Sequence, residues 1–338
     1  MPGQAPPPSR PGETRRHPLA AHRGFGQIGP MSPLTRIVAI GEILVEIMAD
    51  TRGDGFLEPQ PLTGPYPSGA PAIFIDQAAR LGHPCAMIGA VGDDDFGALN
   101  LDRLRTDGVD VSAIAVHAGA ATGSAFVRYR EDGGRNFVFN LRDSANRFIA
   151  IDDHARAVLD GPAHLHIVGS SLGADAVAAA VFEALALVKS AGGTVSFDPN
   201  IRAEMLDAPG FSERLQLALA AADLFLPSGD ELGLFGTADE LLGRGIRAIV
   251  HKQGAAGARY LDATTDLFQP GFPAEEIDPT GAGDIFGATF VVGWLTGLAP
   301  AENLRRACAA GALAVTKRGP MEGASTMEEL DRLVSSGQ

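Results

Sequence analysis

Two aspartates and two glycines fall within seven residues near the C-terminus: Asp278-Pro279-Thr280-Gly281-Ala282-Gly283-Asp284. An apolar stretch over residues 285–295 follows at once and is long enough for a helix, so the turn predicts a helix N-terminus. Helix N-termini leave backbone N–H groups unpaired and carry the positive end of the dipole, which suits an anion. Two glycines split by one alanine let the backbone approach a bulky anion closely. The carboxylate of Asp284 would repel a phosphate held by the same turn. It makes sense if it takes a proton from a hydroxyl as that hydroxyl attacks phosphorus.

Such a turn needs a scaffold, and the chain from Arg36 onward supplies one. Short β-like runs over residues 37–40, 85–89, 165–168, 194–197, 224–226 and 248–251 alternate with helical patterns over 72–81, 96–104, 174–189, 211–222 and 240–244. Strands alternating with helices predict an α/β fold: a mostly parallel sheet with helices on both faces. Two segments break the rhythm. Residues 123–130 and 135–140 flank Glu131-Asp132-Gly133-Gly134, a hairpin signature, and the strand 45–48 with the turn-rich stretch 51–67 is placed to pair with it. A small antiparallel flap inserted into an α/β domain is the expectation, and such insertions serve as lids.

Composition narrows the function. The 338 residues carry 27 Lys and Arg against 41 Asp and Glu, a net charge of −14, which argues against a nucleic-acid surface. No apolar run is long enough to span a bilayer. The two cysteines, Cys85 and Cys308, lie far apart in apolar context and read as buried reduced thiols, the cytoplasmic pattern. His164 and His166 flank Leu165 in a strand with no acid or cysteine at ligand spacing, and are expected to pack at a strand edge. Residues 1–33 mix proline and arginine without periodicity and read as a disordered tail, with Met31 an alternative start; residues 34–335 form the folded domain.

The turn resembles the signature of the ribokinase-like (PfkB) sugar kinases, and companion motifs in the same order extend the resemblance over residues 36–330. It implies a three-layer α/β/α sandwich with a small β-lid, built from about residues 45–66 and 120–142. It also implies ATP-dependent phosphorylation of a sugar hydroxyl, with Asp284 as base. The amides of Gly281, Ala282 and Gly283, together with Arg202 and Mg2+, would share the charge on the γ-phosphoryl. Residues 68–82 resemble the family's N-terminal glycine motif, which implies sugar contacts from Gly69, Ala70 and Asp76. Here Ser68 stands for the first glycine and Ile73 for the usual Asn. Glu46 stands where the family has an acid that bonds sugar hydroxyls, usually Asp. Asp198-Pro199-Asn200-Ile201-Arg202 resembles the pattern of members acting on fructose-like ketoses and keto-sugar acids, with Asn200 a sugar or phosphate ligand.

The nucleotide side is implied in the same way. Ser228 and Glu231 resemble the motif that organises Mg2+ through water, and also read as a helix cap. Lys252, Gly254 and Gly257 resemble the nucleotide loop, Thr280 is implied as a further nucleotide contact, and Ala310 would help wall the adenine. Asp278, Thr280, Ala314, Lys317 and Gly319 fall where relatives hold a monovalent cation such as K+. The substrate motifs look most like bacterial tagatose kinases, with fructokinases and 2-keto-3-deoxygluconate kinases close behind. A keto-acid would need a second cation, for which Arg128 or Arg130 is available, whereas an apolar flap face at Phe126, Phe137 and Phe139 would suit a neutral hexose. A catalytically silent sugar-binding protein is the competing class, and lids in relatives often pair into homodimers.

Overall fold

The computed structural model describes Gly3 and residues 35–202, 205–206 and 208–336; the expected tail, residues 1–33, lies almost wholly outside them. The strands are β1 Ile37–Ile40, β2 Leu44–Ala49, β3 Leu62–Ser68, β4 Cys85–Gly92, β5 Ile114–His117, β6 Gly123–Tyr129, β7 Arg135–Asn140, β8 His164–Val168, β9 Thr194–Asp198, β10 Leu224–Phe225, β11 Ala248–Lys252, β12 Gly257–Leu261 and β13 Asp266–Pro270. The helices are α1 Ala70–Arg80, α2 Asp95–Asp107, α3 Asp153–Val158, α4 Asp175–Ser190, α5 Phe211–Ala221, α6 Glu231–Phe235, α7 Ala238–Gly243, α8 Ala282–Leu295, α9 Pro300–Ala314 and α10 Met327–Ser336.

Nine strands form one sheet in the order β13-β12-β11-β10-β9-β8-β1-β4-β5, parallel except where β12 and β13 extend one edge as a hairpin. Side chains alternate across the central strands. Ile37 and Ala39 join a core under α1, α8 and α9, while Val38 and Ile40 join a second core under α4 and α5. Both faces are therefore covered, as a parallel sheet requires. The strand order reverses on either side of β1, which pairs with β4 and with β8. That switch point opens a crevice at the strand C-termini.

A second sheet, ordered β3-β2-β6-β7, stands over this crevice. Its β6–β7 hairpin follows the alternation of residues 123–140, and β2 pairs in parallel with β6. Tyr129 at the end of β6 donates to Asp278 Oδ1 at 2.5 Å and lies 2.9 Å from Thr280 Oγ1, tying this sheet to the turn before α8. His164 and His166 sit in central strand β8, not at an edge. They are buried, and hydrogen bonds join them to Thr194 and Ser196. Both cysteines are buried and free. Among the described residues no helix is long and apolar enough to cross a membrane.

Candidate active site

Five strand ends and the turn before α8 converge on one cleft of about 930 Å3. Gly281 is the N-cap of α8 at φ 80°, and no side chain caps this helix. A Cβ on Gly281 would stand 2.3 Å from the Pro320 carbonyl oxygen and 3.2 Å from Ile73, so both backbone shape and space demand glycine. Gly283 is different. A Cβ there would meet only the Lys252 ammonium, at 3.7 Å, so the missing side chain leaves an open concavity between helix N-terminus and cation. The Ala282 amide leans back on the Pro279 carbonyl at 3.4 Å, which leaves Gly283 the more open donor. An uncapped helix N-terminus facing an ammonium suits a phosphate.

Asp284 follows in the first turn of α8, buried, with Asn200 Nδ2 3.4 Å from its Oδ1. Burial pushes its carboxyl up to about 7, and the neighbouring Asp198 adds to this while Lys252 and Arg202 oppose it. A carboxyl poised near neutrality is what a general base at physiological pH needs. Asn200 holds φ 39°, the one positive value outside glycine among the described residues. Asn tolerates that region better than most residues, and strained backbone clusters where function over-determines it. Lys252 and Asp198 form a buried ion pair at the floor.

Glu231 uses both carboxylate oxygens on backbone amides, Ile201 N and Ser228 N, each at 2.7 Å. It therefore ties the loop after β9 to the loop after β10. Half of the expected capping box is present, because the Ser228 side chain does not cap α6. With its oxygens so engaged, Glu231 fits a magnesium ion through water and not by direct ligation. The Asp278 carboxylate is likewise consumed, by Tyr129, by Thr280 N at 3.0 Å and by Gly319 N at 2.9 Å. Through these three bonds it braces the loop.

At the other end of the cleft Glu46 points in from β2. It is 4 % exposed, its Oε2 accepts from Ser68 Oγ at 3.3 Å, and its Oε1 is buried without a partner. Burial pushes this carboxyl up to about 7, Asp278 adding to the effect and Arg135 and Arg202 opposing it. A buried acceptor left open asks for a ligand hydroxyl. Gly69, at φ 113°, brings the start of α1 against the Glu42 carbonyl, where a Cβ would stand only 2.4 Å away. Gly69 and Ala70 line the cleft, as do Asn200, Arg202, Ser228, Thr280 and Gly281.

Several expected ligands lie elsewhere. Asp76 is fully buried on α1 with both oxygens on Arg103, at 3.2 and 3.1 Å, because it faces α2 and not the cleft. Arg128 is spent on the loop after β2, donating to the Gly55 carbonyl at 2.9 Å and standing 3.6 Å from Glu58. The alternation of β6 turns Phe126 away to pack on Phe56, while Phe137 and Phe139 of β7 do line the cleft. Ala310 is buried in the core beside α8, and Gly257 is explained by the Gln269 carbonyl of β13, 2.0 Å from where its Cβ would be. Neither they nor Gly254, Ala314, Lys317 and Gly319 line the cleft.

The structure also adds residues that motif reading passed over. Glu42 is held by Ser170 Oγ at 2.6 Å and Ser171 Oγ at 2.5 Å, and Arg135, Arg142 and Arg147 line the side of the cleft nearest the second sheet. Period-2 alternation through β7, with residues 135, 137 and 139 on one face, was the signal that could have found Arg135.

Residues 34–327 match the family model described as pfkB family carbohydrate kinase. A fructokinase of Klebsiella pneumoniae is 32% identical over 314 residues, covering 88% of this chain and 98% of its own length. A candidate ribokinase II of E. coli, solved with ATP and Mg2+, is 44% identical with a TM-score of 0.84 over 90% of this chain and 100% of that one. A fructokinase double mutant of Vibrio cholerae, solved with fructose, ADP and potassium, is 26% identical with a TM-score of 0.77, covering 89% and 98%.

Proposed function

The chain belongs to the pfkB family of carbohydrate kinases, and from that premise we propose that it transfers the γ-phosphoryl of ATP to a hydroxyl of a ketose such as fructose or tagatose. One observation carries the reading: a buried carboxyl, Asp284, stands beside the uncapped helix N-terminus that would hold the phosphoryl group. In the proposed step Asp284 removes the proton of the acceptor hydroxyl as its oxygen bonds to the γ-phosphorus. The bond from that phosphorus to the β–γ bridging oxygen breaks, and ADP leaves with the electron pair. The Gly283 amide, with Gly281 and Ala282 shaping its turn, and Lys252 stabilise the charge on the transferring group from one side, and Arg202 does so from the other. Mg2+ arriving with the nucleotide would neutralise phosphate charge, with Glu231 meeting it through water.

Glu46, with Ser68 fixing one oxygen, holds a second hydroxyl, and Gly69 and Ala70 bring backbone close to the sugar. The β2–β3–β6–β7 sheet acts as the lid. Its closure keeps water from competing for the phosphoryl group. The proposal extends to a monovalent cation between the loops at 278–280 and 314–319, held by carbonyl oxygens. Replacing KCl by tetramethylammonium chloride would then slow turnover. The exposed lid residues Leu62 and Val138 support a homodimer through this sheet, which light scattering tests. The two buried free thiols fit a cytoplasmic enzyme. Release of ADP dependent on both ATP and a ketohexose is the expected result. Its absence with every ketose, at saturating ATP, would sink the reading.

A further inference from the structure

One side chain of the β3-β2-β6-β7 sheet is hydrogen-bonded to the turn at 278–284 among the described residues, and it is Tyr129 at the end of β6. Its phenol gives its proton to Asp278 Oδ1 at 2.5 Å. The 2.9 Å contact with Thr280 Oγ1 therefore runs the other way, with the threonine hydroxyl donating. Burial and the Asp278 carboxylate hold the phenol well above its ordinary range, so it stays a donor throughout the physiological range. From Asp278 the tie continues into the turn. Asp278 also accepts from Thr280 N at 3.0 Å and from Gly319 N at 2.9 Å, and the next carbonyl, that of Pro320, closes against Gly281. Gly281 is the N-cap of α8, and Asp284 stands in the first turn of that helix.

The other end of the tie lies at the acceptor site. β6 pairs in parallel with β2, where Glu46 is opposite Ala125. Ala125 and Tyr129 are four residues apart on one strand and share its face, the face that turns Glu46, Ala125 and Arg135 toward the cleft. The open acceptor Glu46 Oε1 and the Tyr129 phenol thus belong to one face of two bonded strands. A hydroxyl that draws on Glu46 acts on the frame that carries Tyr129. Anchoring the sheet does not require this bond, because two other contacts serve that end. Arg318 donates to Asp50 Oδ1 at 2.6 Å just past β2, and Tyr66 of β3 packs on Gly319, where a Cβ would stand 2.7 Å from its ring. Both act on the loop after α9; of the three contacts, Tyr129 alone reaches the turn.

Resting on the sugar-kinase reading, we propose that Tyr129 is a positioning residue that carries sugar occupancy at Glu46 to the turn before α8, so that the turn is set for transfer when an acceptor is bound. It touches no reacting atom. Its effect runs through Asp278 and the Gly281 backbone, and it favours the sugar over water as the phosphoryl acceptor.

Tyr129→Phe deletes the hydroxyl and keeps the ring, so ADP release with and without fructose or tagatose isolates the bond. In the full-length protein the ratio of release with sugar to release without it should fall at least about tenfold, the scale of a lost hydrogen bond to a charged group, with KM for ATP kept. Asp50→Asn, which weakens an anchoring contact of the same sheet, should leave that ratio at its wild-type value. An equal fall in Asp50→Asn overturns the proposal, since any loosening of the sheet would then do the same. So does an unchanged ratio in Tyr129→Phe, whether both rates stay or both fall together. Hydrogen exchange of the ligand-free protein, read by mass spectrometry, separates this inference from the kinase reading. The peptide covering residues 278–284 should exchange faster in Tyr129→Phe and not in Asp50→Asn. That outcome supports the tie even if no ketose is phosphorylated. Unchanged exchange overturns it even if fructose is a substrate.

Discussion

The two ends of the cleft are built by different means. At the α8 end the work is done by backbone: a left-handed glycine, an uncapped helix N-terminus and an open face at Gly283, with Lys252 and Asp284 completing it. At the lid end it is done by side chains from strands far apart in sequence, Glu46 on β2 and Arg135 and Phe137 on β7, which meet only because β6 lies between β2 and β7. Backbone geometry of the first kind tolerates almost no change and suits a reaction step. Side-chain recognition of the second kind can be altered one residue at a time and suits the choice of sugar.

That contrast can be broken by mutation. Asp284→Asn should lower kcat by at least about 100-fold while the protein folds and binds ATP. Next come the two glycines, which the comparison separates from each other. Gly281→Ala puts a Cβ 2.3 Å from a carbonyl oxygen at φ 80°, so both turnover and thermal stability should fall. Gly283→Ala has room for its methyl in the empty cleft, but that methyl would hold the phosphoryl group off the amide, so kcat should fall about 100-fold, the scale of one disabled transition-state donor, with little change in melting temperature. Equal stability losses in the two variants would show that Gly283 is structural.

At the lid end the effects should be smaller and of another kind. Glu46→Gln should raise the sugar KM about tenfold more than it lowers kcat, because it changes an acceptor that binds and not one that reacts. Arg128→Ala should loosen the loop after β2, lowering stability by about 1–2 kcal/mol, with the smallest effect on sugar choice. A large specificity change in that variant would return Arg128 to the site.

pH reads both ends at once. Glu46 and Asp284 titrate at about 7 in the folded protein, well above the ordinary carboxylate range. Between about pH 4 and 7 the folded state therefore keeps protons that the unfolded chain has released. Their contribution to stability is fully present below the unfolded values and is lost as pH rises through 7. Urea midpoints should thus fall from pH 5.5 to pH 8, and the double variant Glu46→Gln, Asp284→Asn should flatten that fall. Activity should run the opposite way, rising on an acid limb near pH 7 as Asp284 ionises.

The same division decides what was legible in the chain. The turn at 278–284 was legible as a helix start because glycine at φ > 0 and a helix N-terminus are local properties, readable without knowing any neighbour. The central strands were legible because full burial writes itself as short apolar runs, as at residues 37–40 and 165–168. The β12–β13 hairpin was missed because residues 257–270 mix polar and apolar types at a sheet edge. Arg128 and Asp76 were misplaced for a related reason. Which face of β6 looks into the cleft, and whether α1 turns Asp76 toward the sugar or toward Arg103, are set by packing that no local pattern records.

Asp284, beside the α8 N-terminus, is proposed as the base of a sugar kinase. Single-turnover formation of ADP and sugar phosphate, measured for the wild type and for Asp284→Asn at equal ATP occupancy, tests it most directly. Stoichiometric products are expected from the wild type and a rate at least about 100-fold lower from the variant, with ATP affinity kept. Near-normal sugar phosphorylation by Asp284→Asn would contradict it.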